Sequence, residues 1–193
     1  MTESITVVSG IPRSGTSMMM RLLEAAGLPI LSDGQRGPDA SNPRGYFELD
    51  AVKRTRDDAR WLEAAPGCAV KVIHSLLDAL PDEYAYRVIL MKRPMDAVIA
   101  SQNRMLERLG ESVPGPGNER LAAILSAQLE ASRQALSERS AFEWIEIDYP
   151  ELVREPLPQL AILANFLEIP LDSGALIECI EPELNHEKSL TAR

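Results

Sequence analysis

Cysteine is almost absent from this sequence. Cys68 and Cys179 are its only two, and they lie too far apart to suggest a disulfide framework or a zinc site. Two packed thiols in a reducing compartment are the expectation. Positive charge is also scarce: 20 Lys and Arg face 29 Asp and Glu, for a net charge of −9. That balance excludes a general nucleic-acid or anionic-membrane surface. Any bound anion must be held locally, by a few arginines, lysines and backbone N–H groups. Long apolar runs are missing, so no stretch approaches a membrane span. The opening MTESITVV has neither the basic region nor the apolar run of a signal peptide, which predicts a cytoplasmic protein.

What is present suffices for one core. The 193 residues, 45% of them hydrophobic, predict a single domain over 1–193. Apolar, β-branched runs bounded by turn signals mark four strands: Ile5–Ser9, Ala69–Ile73, Arg87–Met91 and Phe142–Ile147. Helical periodicity occupies about 16–27, 49–64, 95–109, 119–139 and 157–167 between and after them. This alternation predicts an α/β fold of three layers, a mostly parallel central sheet flanked by helices, with ligands beyond the carboxyl ends of the strands. Segments 28–47 and 111–119 are rich in glycine and proline and read as long loops. Leu121, Leu125, Leu129, Ser132 and Leu136 share one helical face that packing on the sheet explains, and Met18, Met19 and Met20 read as core filler.

The chemistry begins at "VVSGIPRSGTSMMM", residues 7–20, where a buried strand breaks into a turn with two glycines and opens a helix. Gly10 and Gly15 have the spacing of a phosphate-cradling loop, but Thr16 stands where such loops carry lysine, followed by Ser17. The strong cation of the turn is Arg13, inside the loop. A strand-to-helix turn of this kind aims unpaired N–H groups and the positive end of a helix dipole at one point, where an anion belongs. A second element, "RVILMKRPMDAVIASQ", places Arg93 where a buried strand yields to Pro94 and a new helix; Ser101 follows two turns in.

Together these elements resemble the sulfotransferase family, whose members transfer a sulfuryl group from 3′-phosphoadenosine 5′-phosphosulfate (PAPS) and release adenosine 3′,5′-bisphosphate (PAP). "IPRSGTS", residues 11–17, is similar to the family's loop for the 5′-phosphosulfate. Arg93 with Ser101 resembles its Arg/Ser pair for the 3′-phosphate, and "NPRGYFE" (42–48) resembles a segment of bacterial members. "WIEIDYPELVREPLPQLAILANFLEI" (144–169), with Tyr149, resembles the family's Tyr-containing segment and the helix after it. The resemblance implies donor contacts from Gly10, Pro12, Arg13, Ser14, Gly15, Thr16, Ser17, Lys71, Arg93, Ser101 and Tyr149, a small-molecule or glycolipid acceptor, and no metal. Three departures stand out. Met18 replaces an aromatic residue often found near the adenine, and the family's Lys-Thr-His segment reads "KVIH" with its histidine one place late. The tail "PELNHEKSLTAR" carries only Lys188 and Arg193 where many members have an Arg-Lys-Gly-rich loop.

Sulfuryl transfer needs an acceptor in line with the breaking S–O bond, cations on the departing phosphate, and a base. Arg13 is the expected cation at the bridging oxygen, and Lys71, in a buried strand, implies an anion partner. Two residues are candidate bases: Glu48, after the glycine-rich loop, and His74, just past a strand. His186 in the tail is expected in solvent. Two other functions remain open at this point. One is a phosphotransferase or NTPase with Mg²⁺ at Ser17 and Asp148, against which the missing loop lysine counts. The other is a nucleotide-binding protein without catalysis.

Overall fold

Val7 and Val8 are neighbours in β1 (Ile5–Ser9) and face opposite ways, as the twofold period of a strand requires. Both are fully buried, so the strand is covered on both faces. In the computed structural model of this chain, which describes residues 3–35, 37, 45–110, 117–169 and 173–180, β1 lies inside a four-stranded sheet of order β2-β1-β3-β4. The partners are β2 (Ala69–Lys71), β3 (Tyr86–Lys92) and β4 (Phe142–Asp148), and every pairing is parallel. The His186 and tail-closure expectations, and 36, 38–44 and 111–116 of the two long loops, lie outside the described residues.

Two cores follow from the alternation. Val8, Ile89, Met91 and Ile147 pack with Met19, Met20 and Leu22 of α1 (Thr16–Ala25), Leu152 of α4 (Tyr149–Arg154), Leu160 and Leu163 of α5 (Pro156–Leu167) and Leu176 of α6 (Ser173–Cys179). Ile5, Val7, Val70, Tyr86 and Val88 pack on the other face with Val52, Leu62, Leu77, Leu80 and Leu136, the last from α3 (Asn118–Glu138). The three-layer α/β arrangement expected from the sequence is therefore present, with an all-parallel sheet. Met18, Met19 and Met20 are buried as core, and both cysteines are free thiols.

Four elements differ from the sequence reading, one of them α6, which was assigned no element. The helix expected over 49–64 is two 3₁₀ helices, Asp50–Arg54 and Arg60–Ala64. Between them Asp58 Oδ1 accepts the Arg60 backbone N–H at 3.1 Å, a local bond that competes with the i−4 ladder of an α-helix. The second strand stops at Lys71, and 74–79 continue as another 3₁₀ helix. Finally, α4 lies in a stretch assigned no element. Asp148 caps it by accepting the Glu151 N–H at 3.0 Å, and α5 is separated because Glu155 precedes Pro156.

Candidate functional site

From β1 the chain crosses to β2 on one side, while β3 lies on the other. The carboxyl ends of β1 and β3 thus flank the position where an open α/β sheet admits a ligand. Gly10 turns the chain there at φ +148°, and a Cβ would sit 2.5 Å from Ser14 Oγ and 3.0 Å from the Met91 carbonyl oxygen. Gly15 caps α1 at φ +101° without a side-chain cap bond, and a Cβ would lie 2.3 Å from the Tyr149 ring. No other residue fits either position. Arg13 also has a left-handed backbone, φ +73°, which costs a non-glycine residue on the order of 1 kcal/mol. The Arg93 guanidinium holds it there by donating to the Arg13 carbonyl at 2.9 Å.

Two groups of side chains face this loop. In the first, Arg13 Nε donates to Ser101 Oγ at 3.1 Å, and Arg93 lies 4.6 Å over the Tyr149 ring. Four residues far apart in sequence are joined here: one from the loop, one just after β3, one from α2 (Met95–Leu109) and one from the start of α4. In the second, Lys71 Nζ donates to Ser17 Oγ at 3.2 Å and to the Tyr46 carbonyl at 3.1 Å, and it stands 3.9 Å from Glu48 Oε1. The Lys71 and Glu48 side chains are 17% and 26% exposed, so water screens them less than a surface ion pair. Glu48 is held in place through its backbone: its carbonyl accepts the Asp33 N–H at 3.1 Å. Asp33 in turn accepts the Asp50 N–H at 2.6 Å, and this bond and one from Gln35 hold its carboxyl below the usual range.

The cleft between the groups encloses about 570 Å³. Among the described residues, seven arginine and lysine side chains line it against one acid, Glu48. On a chain of net charge −9, that reversal of sign focuses positive potential in the cleft. Gly10, Pro12, Arg13, Gly15, Thr16, Ser17, Glu48, Lys71, Arg93, Ser101 and Tyr149 all line it.

Two expected site residues are elsewhere. Ser14 is fully buried beneath the loop, against Gly10. His74, 3% exposed, opens a 3₁₀ helix behind the loop and is not on the cleft wall. Its Nδ1 donates to the Gly10 carbonyl at 3.3 Å, and its Nε2 lies 3.1 Å from Gln128 Oε1. With both nitrogens occupied, His74 braces the loop and has no lone pair open to an acceptor. The reason is one place of register: Ile73 occupies the outward position and is 40% exposed.

No protein-family model matches the chain, and no curated protein matches its sequence. Solved structures match in shape. Sulfotransferase STF1 of Mycobacterium tuberculosis H37Rv superposes with a TM-score of 0.58 at 16% identity, over 91% of this chain and 71% of that one. The sulfotransferase domain from the curacin biosynthetic pathway gives 0.53 at 17% identity, over 94% and 79%. The fold is the sulfotransferase fold. Retinol dehydratase, crystallised with retinol and PAP, matches at a TM-score of 0.45 and 14% identity, over 91% and 64%.

Within this sulfotransferase fold, sequence reasoning missed Tyr46, Arg21 and Arg104. Tyr46, 5% exposed, supplies the carbonyl that anchors Lys71 and sits two residues before Glu48 in a segment already singled out. Arg21 lines the cleft one helical turn after Ser17, so i,i+4 spacing on α1 was the available signal. Arg104 follows Ser101 by three residues on α2 and lines the cleft with it. Among the described residues no helix is long and apolar enough to cross a membrane, and no group of three His, Cys, Asp or Glu is placed to hold a metal.

Proposed function

We propose that this chain, as one domain over 1–193, transfers the sulfuryl group of PAPS to a hydroxyl or amine of a small-molecule or glycolipid acceptor. The observation that carries this reading is the pair of cationic groups on either side of one uncapped glycine loop, because the donor bears anions at two separated positions. The 5′-phosphosulfate would lie at Gly10–Ser17 beside Lys71, and the 3′-phosphate at Arg93 and Ser101. The Tyr149 ring, already stacked under Arg93, keeps that guanidinium oriented.

In the reaction Glu48 takes the acceptor's proton as the acceptor oxygen or nitrogen attacks sulfur. Lys71 and Arg13 meet the charge left on the phosphate oxygen when the S–O bond breaks, and the first N–H groups of α1 hold the remaining phosphate oxygens. Positioning and fixed charge carry the work, with cationic side chains in the place a metal ion takes in phosphoryl transfer. The phosphotransferase reading needs Ser17 and Asp148 on Mg²⁺. Ser17 Oγ instead accepts from Lys71, and Asp148 caps α4 and stands 3.8 Å from Lys92.

The test is turnover with a chelator present. PAPS and a panel of phenols, sugars and lipids should yield PAP and sulfated acceptor in equal amounts. Mg²⁺-dependent hydrolysis of ATP would favour the phosphotransferase, and PAP bound but never formed would favour a non-catalytic nucleotide binder. Arg93→Ala is expected to weaken PAP by about 1.5–3 kcal/mol, the worth of a charge-assisted hydrogen bond. Adenosine 5′-phosphosulfate, which lacks the 3′-phosphate, should lose much less. Equal losses measured by calorimetry would remove Arg93 from the 3′ site.

A further inference from the structure

Beyond the donor cradle the cleft continues into a part that the two phosphate sites do not use. Several of its lining residues are apolar: Leu49 and Val52, Ile73 and Leu76 from the segment after β2, and Met105 from α2. Ile73 is 40% exposed there, a large hydrophobic side chain left open to solvent at the mouth of a binding cleft. Lys53, Arg104 and Arg108 stand among these residues. Arg104 lines the cleft, partly exposed, and makes no hydrogen bond or ion pair with any described residue. The other six cations of the cleft all have partners: Lys53 has Asp50 at 3.0 Å, Arg13 has Ser101, Arg93 has the Arg13 carbonyl, Lys71 has Ser17, Tyr46 and Glu48, and Arg21 and Arg108 have contacts of their own.

Arg104 and Met105 follow Ser101 by three and four residues, so the helix face that meets Arg13 at the donor also presents them. Arg104 lies about 5 Å further along the helix axis than Ser101, away from the 3′-phosphate position. We propose that this arm receives an amphipathic acceptor that carries its own carboxylate, its apolar body lying on Ile73, Leu76 and Met105 and its acid paired with Arg104. The planar guanidinium fork fits a carboxylate. Elsewhere the acidic surface repels such a molecule, so selection occurs only in the cleft.

The inference rests on the donor reading, and the experiment separates the two. Wild-type protein is first saturated with PAP and then titrated by calorimetry with para-hydroxyphenylpropionate, its amide and tyramine, which are anionic, neutral and cationic versions of one phenol. The acid is expected to bind about tenfold more tightly than the amide, and tyramine more weakly still. Arg104→Ala should bring acid and amide together while PAP affinity stays at the wild-type value, and Arg104→Lys should restore part of the preference. Equal binding of acid and amide by the wild type, or no binding of either, overturns the inference while PAP binding stands. A loss of PAP affinity in Arg104→Ala overturns it as well, since Arg104 would then serve the donor. Failure of PAP itself to bind sinks the donor reading instead.

Discussion

Glu48→Gln is expected to lower kcat by about a hundredfold to ten-thousandfold, the usual range for loss of a general base. The substitution keeps the size of the side chain and leaves Lys71 bonded to Ser17 and Tyr46. PAP affinity should therefore stay near the wild-type value, and the loss should appear in turnover. His74→Asn supplies the contrast. Because His74 connects the Gly10 carbonyl to Gln128, its loss should cost about 1–3 kcal/mol of stability, the penalty for stranding buried polar partners. Turnover below the lowered melting midpoint should persist. Rates for both variants, with melting curves, decide the matter. A dead His74→Asn that folds normally, beside an active Glu48→Gln, would transfer the base to His74.

Lys71→Met should lower kcat by about a hundredfold to a thousandfold, as removal of one preorganised donor to a developing oxyanion does. Donor affinity should fall by a smaller factor, because the charge on the departing oxygen grows only as the S–O bond breaks. Arg13→Ala should divide its effect differently. Its Nε lies on Ser101, at the position assigned to the 3′-phosphate, so a larger share of its loss should appear as weaker PAP binding. Measuring kcat and PAP affinity for both variants separates the two cations. Turnover lost in Arg13→Ala, with only affinity lost in Lys71→Met, would exchange their roles.

The residues that were legible in sequence are those whose local pattern and tertiary use coincide. Val7, Val8, Gly10 and Gly15 announce a buried strand, a turn and a helix start, and the fold uses them so. Arg93 was legible for the same reason, since strand β3, Pro94 and α2 follow one another in both descriptions. Arg104 was not: three residues beyond Ser101, it looks like any solvated helix cation until the fold brings it to the same cleft as residues from 49–52 and 73–76. The buried setting of His74 was not legible, because sequence places it near the carboxyl end of a strand without saying which way its ring turns. The 49–64 segment failed because its periodicity is interrupted by the Asp58 bond to the Arg60 backbone, a contact of a few ångströms that periodicity does not register. The sequence reading missed α4, although Asp148 caps it and Pro150 stands in its first turn.

Calorimetric titration with PAP in the presence of a chelator, beside ATP with Mg²⁺, tests the central claim that one phosphate site lies at the glycine loop and a second at Arg93 and Ser101. The account predicts one PAP per chain bound without metal, at least about tenfold more tightly than ATP, because only PAP places a phosphate at Arg93 and Ser101 as well as at Gly10–Ser17. ATP with Mg²⁺ binding as tightly as PAP, or PAP failing to bind, would contradict it.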